Sequence, residues 1–505
     1  METAIKKEIY DSLAEIWWGA AGQDVSEEHV VPDTMPDIGD VLDAEGYVTL
    51  RGKELGEGYV LLSASVCASV LYAPEDGSQP RSLEFTLPAE LRMDAPGADP
   101  EGRAAARLRL RNLEARAVNS RKLAIRAELE GDVRCFARSS LEVPVGLQGE
   151  EKGVHIRTET AEPVLTVDMR EKTFVVTDEY ALPAGVGRTE AILSRRVEPV
   201  LDDVKYVGGK AVFRGRVISE LLLMEEGGRP VSARYETEFS QILEIGDGEG
   251  EGLPQVILMV TGAYHDLPEY GRESGAIGAE IHLAAQCVCR RRQTVRYMAD
   301  IYSNRTELVP EPEEHAWLTE LRPVSLRQTV TGRVEAAPPG AELLRAAVAV
   351  GGTAVEGNTV KTGVNARLLF RNGDGGCVPV RCRLPVEFTV MDLPPEGKLR
   401  DIVISAADVY CGPGPGGADL RVTMRMDALA AGETAIRWVG AVEEDAEAWQ
   451  ARDRAPSVTL VRVPEGAELW TLAKKYRSTP EAIRAANGGL AEGVPEGLLL
   501  IPKGR

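Results

Sequence analysis

Aromatic side chains are scarce, at 5% of 505 residues, so any core must rest on Val, Leu, Ile and Ala. Cysteine is scarce too. Seven thiols spread along the chain make an odd count and exclude a disulfide framework. Cys287 and Cys289 fall on one face of an alternating strand, where thiols act as small hydrophobes. Cys377 and Cys382 lack a companion His or Cys pair at zinc-site spacing. The five histidines, at 29, 155, 265, 282 and 315, are dispersed. His265-Asp266 is an adjacent acid–imidazole pair, and neighbours on a strand point to opposite faces, so it reads as a polar strand-end pair. Positive charge is also short. With 58 Lys plus Arg against 79 Asp plus Glu, the net charge of −21 argues against a phosphate-backbone partner and hence against nucleic acid.

Catalytic signatures are missing as well. There is no phosphate-cradling Gly-x-x-x-x-Gly-Lys loop, no Gly-x-Ser-x-Gly elbow and no His-Glu-x-x-His helix. The run Gly412-Pro413-Gly414-Pro415-Gly416-Gly417 lacks the Lys and helix of a phosphate site and reads as a loop. The expectation is a non-enzymatic protein with no cofactor and no metal. No stretch is long and apolar enough to span a bilayer. Met1 to Gly22 carries charges where a signal peptide needs an apolar core, which predicts a chain that stays in the cytoplasm of the cell that makes it.

What is present is a threefold pattern. Val70-Leu71-Tyr72, Leu221-Leu222-Leu223 and Leu368-Leu369-Phe370 each precede a Gly-containing polar turn and a second strand, the signature of a β-hairpin. Each segment then ends in a long period-two strand: Leu123 to Cys135, Ile281 to Cys289 and Leu420 to Ala428. Such alternation predicts sheets with one face buried and one solvated. The boundaries that follow are a lead-in over 1–25 with some helical character, packed through Ile16, Trp17 and Trp18, then β domains at 26–148, 160–308 and 309–440. A charged linker, helical in part, covers 441–456. The three β domains are expected to fold independently, with protease-sensitive joints near 149–160, 304–314 and 441–456.

Residues 457–505 read as a complete small domain. Val458, Leu460 and Val461 open a strand. Leu469, Leu472, Ala473 and Tyr476 share one face of a short helix, Thr479-Pro480 start a second, and Asn487-Gly488 stop it with residues that tolerate the left-handed conformation. Leu498 to Ile501 returns as a strand. This segment holds seven Lys plus Arg against five Glu, leaving −23 on the rest of the chain. The fold class is therefore mainly β, with tandem β-rich domains followed by a small α+β domain.

The run Gly466-x-x-Leu469-Trp470-x-Leu472-Ala473-Lys474-Lys475-Tyr476, with Thr479, Ile483, Asn487 and Gly497 to Pro502, resembles a LysM domain. That family usually has Gly-Asp-Thr before the Leu-Trp pair, where this chain has Gly466-Ala467-Glu468. Val31-Pro32-x-x-Met35-Pro36-Asp37-Ile38, with Val41-Leu42 and the hairpin residues Leu71-Tyr72, resembles the opening of the SPOCS domain of spore-coat proteins. SPOCS-like units followed by a LysM domain resemble the SipL-type spore coat morphogenetic proteins. The resemblance implies a non-enzymatic assembly scaffold in the mother-cell cytoplasm, at the forespore surface and spore coat. It also implies docking through the LysM domain onto the coat-basement ATPase, with contacts to other coat proteins and self-association as further partners. Leu469, Trp470, Lys474, Lys475 and Tyr476 are the partner-binding candidates, with Lys474 and Lys475 expected on the exposed surface. The alternative is a peptidoglycan- or chitin-type glycan-binding protein using the LysM groove.

Overall fold

A computed structural model describes residues 4–149, 153–246, 251–267, 275–338, 340–373, 376–414, 417–445, 457–464, 466–489 and 496–503. Among these the chain is mainly β, and its two helices both lie near the C-terminus. The first unit contains β1 (Ile5–Val30), β2 (Ile38–Gly56), β3 (Tyr59–Pro74), β4 (Arg81–Asp94), β5 (Arg103–Asn119) and β6 (Lys122–Leu147). Strands β2-β3-β4 form one antiparallel sheet and β1-β6-β5 the other, so the first and last strands of the unit pair.

The plan recurs twice. After β7 (Val154–Ala161), the second unit runs β8 (Val164–Ala181), β9 (Thr189–Val207), β10 (Lys210–Glu225), β11 (Pro230–Glu244), β12 (Gly252–Asp266) and β13 (Ala276–Arg292). Its sheets are β9-β10-β11 and β8-β13-β12. After β14 (Val295–Ser303), the third unit has β15 (Leu308–Val334), β16 (Glu342–Val350), β17 (Ala354–Glu356), β18 (Thr359–Arg371), β19 (Cys377–Thr389), β20 (Lys398–Gly414) and β21 (Gly417–Glu444). Here β16 and β17 share one edge of β18, β19 takes the other, and β15-β21-β20 is the second sheet. In every unit the apolar faces of the two sheets close on each other. The alternating strands supply the centre of each core: Leu123 to Cys135 on β6, Ile281 to Cys289 on β13 and Leu420 to Ala428 on β21.

Three expectations need correction. Residues 5–25 are not a helical lead-in but most of β1, which pairs with β6 over nearly its whole length; Ile16 and Trp17 pack on the first core while Trp18 is exposed. The β-branched and aromatic residues there satisfy their backbone across the sheet instead of within a helix. Second, the polar face of β13 is solvated only at its start, where Glu280 is exposed, and is buried from Ala284 to Arg290. Gln286 is fully buried, exchanging hydrogen bonds with the Ala106 backbone at 2.9 and 2.7 Å and accepting one from Lys53 Nζ at 2.7 Å. That stretch contributes to the contact between the first and second units. Third, the joints at 149–160 and 304–314 are largely strand, because β7 pairs with β14 and β15 begins at Leu308. Of the linker over 441–456, residues 446–456 lie outside the described residues, and Glu443 and Glu444 end β21.

The units meet around a shared centre. Leu71, Leu222 and Leu369, the middle residues of the three apolar triplets, converge with Leu42, Leu193 and Leu344 in one buried cluster. Three consecutive apolar residues in a period-two strand need both faces buried, and the middle one faces the neighbouring units. The residues immediately after the second leucine set are Asp43, Ser194 and Arg345, and they meet: the buried Arg345 guanidinium donates to the Asp43 carboxylate and to Ser194 Oγ. Beside them Arg367 Nη2 donates to both oxygens of the buried Glu45 at 3.1 Å.

The C-terminal module comprises β22 (Val458–Val463), α1 (Leu469–Tyr476), α2 (Pro480–Ala486) and β23 (Gly497–Pro502), with β22 and β23 antiparallel. Thr479 Oγ1 accepts from the Ala482 N–H at 3.0 Å, capping α2 ahead of Pro480. Asn487 does not adopt the left-handed conformation at the stop; Gly488 and Gly489 do. The Asn487 side chain instead bridges the helix end to the Leu500 backbone, donating at 2.7 Å and accepting at 2.8 Å.

Candidate functional site

The module does not close its own core. Val463, Leu469, Ala473, Ile483, Leu499 and Ile501 are joined by Tyr302 from β14. The Tyr302 ring meets Trp470 edge-on at 4.9 Å, and its hydroxyl donates to the Ser478 carbonyl at 3.0 Å. Burial among these groups pushes the Tyr302 phenol up to about 12. A module of this size buries too little surface to be robust alone, so a borrowed aromatic ring is a substantial part of its core.

Asp300 organises the polar side of the contact. The β7–β14 ribbon slips register between Met298 and Asp300, and such a bulge re-aims the side chain beside it. The Asp300 carboxylate accepts from Trp470 Nε1 at 2.7 Å with one oxygen and from Lys474 Nζ with the other. Arg157 on β7 ion-pairs with Glu468, which also accepts from Thr471 Oγ1 at 3.0 Å at the start of α1. Glu468 is one of the two turn positions, with Ala467, at which the sequence departs from the LysM pattern. At the other end of α1, Arg477 takes a left-handed φ of 55° and ion-pairs through its buried side chain with Glu307.

The five residues expected to bind a partner therefore have different environments. Leu469 is buried core. Trp470 is half-buried and bonded to the body. Lys474, expected as a free exposed charge, is engaged by Asp300 with its side chain 35% exposed. Lys475 is exposed and lies over the Tyr476 ring at 5.4 Å, and Tyr476 packs against the module core. The body partners Arg157, Asp300, Tyr302 and Glu307 were not singled out from the sequence, since about 170 positions separate most of these contacts.

The opposite face of the module is open. On the β22–β23 ribbon, Val461, Val463, Leu499 and Ile501 face the core side, and Val458, Leu460, Leu498 and Leu500 face out at 42 to 67% exposure. Leu460 lies directly across from Leu500, and Arg462 across from Leu498, so the four apolar side chains form one patch with a cation in it. The run Leu498-Leu499-Leu500-Ile501 has no alternation to reveal which members point outward.

Elsewhere, His265 and Asp266 do diverge, His265 inward and Asp266 outward. His265 Nε2 sits 3.3 Å from Ser219 Oγ in a buried chain continuing through Tyr180 and Thr237 to Asp178, while its Nδ1 has no partner. Burial first, then Arg195, pushes the imidazole down to about 4. The described residues contain no His, Cys, Asp and Glu cluster able to hold a metal ion. No described helix is long and apolar enough to cross a membrane. Comparison with protein-family models, curated proteins and solved structures finds no match to this chain.

Proposed function

We propose that this protein is a non-enzymatic assembly scaffold of the developing spore envelope, in the manner of the SipL-type proteins it resembles. The three β units form the body, and the LysM-like module docks onto the coat-basement ATPase at the forespore surface, on the mother-cell side. The observation that carries the reading is the open apolar face of the module's ribbon, Val458, Leu460, Leu498 and Leu500 around Arg462. Clustered exposed apolar side chains on so small an element suit a protein contact, with a carboxylate of the partner meeting Arg462. Trp470 and Lys474 serve to seat the module on its own body, and Lys475 remains at the edge as a charge contact.

The test is binding of the purified full-length chain to that ATPase. Leu460→Glu with Leu498→Glu, on a module that keeps its helical circular dichroism, is expected to weaken binding at least thirtyfold. Unchanged binding by this variant moves the contact to the β units. Saturable micromolar binding of muropeptides or chitin oligomers would instead select the glycan-binding reading; the scaffold reading expects millimolar affinity at most, near −4 kcal/mol.

A further inference from the structure

Where the three units meet they enclose a cavity of about 720 Å³, walled by β2 and β5 of the first, β9 and β12 of the second, and β16 and β20 of the third. Asp202, Asp203 and Ser325 line it and are exposed, marking its mouth. Arg107, Arg109 and Arg111 occupy alternate positions of β5 and line one wall, about 7 Å apart along the strand. Their neighbours Ala106 and Leu108 point the other way, into the first core.

The charges of this wall are unequal. Glu130 and Asp132 on β6 are two carboxylates beside three guanidinium groups: Arg109 reaches Asp132 at 3.3 Å and Glu130 at 3.9 Å, and Arg111 reaches Glu130 at 3.5 Å. Among the described residues, Arg107 makes no hydrogen bond or ion pair, and the Nε of Arg109 is buried without an acceptor. Desolvation pushes the Arg107 guanidinium down from its ordinary value against the pull of Asp132, and Arg109 adds to the push. Every carboxylate in the wall already has its cation. Glu45 has Arg367, Glu198 has Arg196, Asp202 has Arg216, Asp203 has Lys205, Asp427 has Arg425, and Asp401 has Arg134 and Arg290. The lining holds as many carboxylates as arginines, so the unpaired Arg107 guanidinium is a local feature within a chain whose net charge of −21 repels anions. An unpaired cation in such a place costs stability unless something binds it.

We propose that this cavity binds a small polyvalent oxyanion, held by Arg107 with Arg109 and Arg111 beside it. A guanidinium presents paired N–H donors that match the edge of a phosphate or carboxylate group, and three in a row suit a molecule with several such groups. The volume is that of a small-molecule site.

The experiment titrates the full-length chain with inorganic tripolyphosphate and, separately, with citrate, at constant chloride, reading calorimetric heat and thermal midpoint. One of the two anions is expected to bind saturably at a single site and raise the midpoint. The anion that does so distinguishes a phosphate ligand from a carboxylate one. Arg107→Met is expected to weaken that binding about tenfold or more, and Arg107→Lys less. Without anion, Arg107→Met is expected to be at least as heat-stable as the parent, because it removes an unpaired charge. Arg109→Gln provides a second, independent loss of affinity. The proposal is overturned if neither anion binds saturably, or if the affinity is the same in Arg107→Met and Arg109→Gln, which would place the anion on the surface.

Discussion

Replacing Asp300 by Ala removes the one carboxylate that holds both Trp470 and Lys474. A hydrogen bond from an indole N–H to an ionised acceptor is worth about 1.5–3 kcal/mol. The Lys474 pair, with its side chains 35% and 27% exposed, adds at most about 1 kcal/mol. Together these amount to about 3 kcal/mol, or a shift of about 100-fold toward the undocked module. Tyr302 in the module core and the Arg477–Glu307 pair remain, so the module loosens without the body unfolding. Hydrogen exchange read by mass spectrometry is the assay. Peptides covering 154–161, 295–303 and 469–476 are expected to exchange faster in Asp300→Ala, while those from β6, β13 and β21 keep their protection. Asp300→Asn, which keeps an acceptor but loses the charge, is expected to fall between. Unchanged exchange in α1 and the β7–β14 ribbon would refute the reasoning, as would a uniform increase across all three units.

Lys474→Glu sets a carboxylate against Asp300 and is expected to speed exchange in the same peptides, in contrast to the neutral effect of reversing a free surface charge. Asp43→Ala leaves the buried Arg345 with Ser194 and the Glu45 carboxylate 4.0 Å away, which Arg367 already holds, and is expected to cost about 3 kcal/mol in chemical denaturation, whereas the double variant Asp43→Leu, Arg345→Met recovers most of it. His265 titrates at about 4 when folded against 6.5 when unfolded, so its contribution is complete above pH 6.5 and is lost as pH falls toward 4. Between pH 7 and 5 the parent is expected to lose about 2 kcal/mol more than His265→Gln, measured by denaturant unfolding at each pH. Limited proteolysis is expected to spare 154–161 and 308–314, which are paired strand, and equal cleavage at both would mean that the units separate in solution.

Period-two alternation fixed the faces of β6, β13 and β21 that build the cores, because a strand with one apolar face has one way to bury it. The same local logic placed the helices of the C-terminal module: Thr479 and Pro480 start α2 through contacts within a few residues. It failed over residues 5–25, where local pattern was ambiguous and pairing with β6, more than a hundred positions away, made a strand. Gln286 looked solvated since nothing in β13 announces that Ala106 and Lys53 will cover it. The candidate site divides along the same line. Leu469 at the centre of the module follows from helical spacing, but the engagement of Trp470 and Lys474 depends on a bulge that turns Asp300 toward them across about 170 residues. Composition and periodicity act through neighbours in the chain, so they define β units and a small appended module. Which polar faces become interfaces, which arginine of the central cavity lacks an ion pair and which side of the module stays open depend on how three similar units pack around one centre, and that packing arises from contacts between segments far apart in the chain.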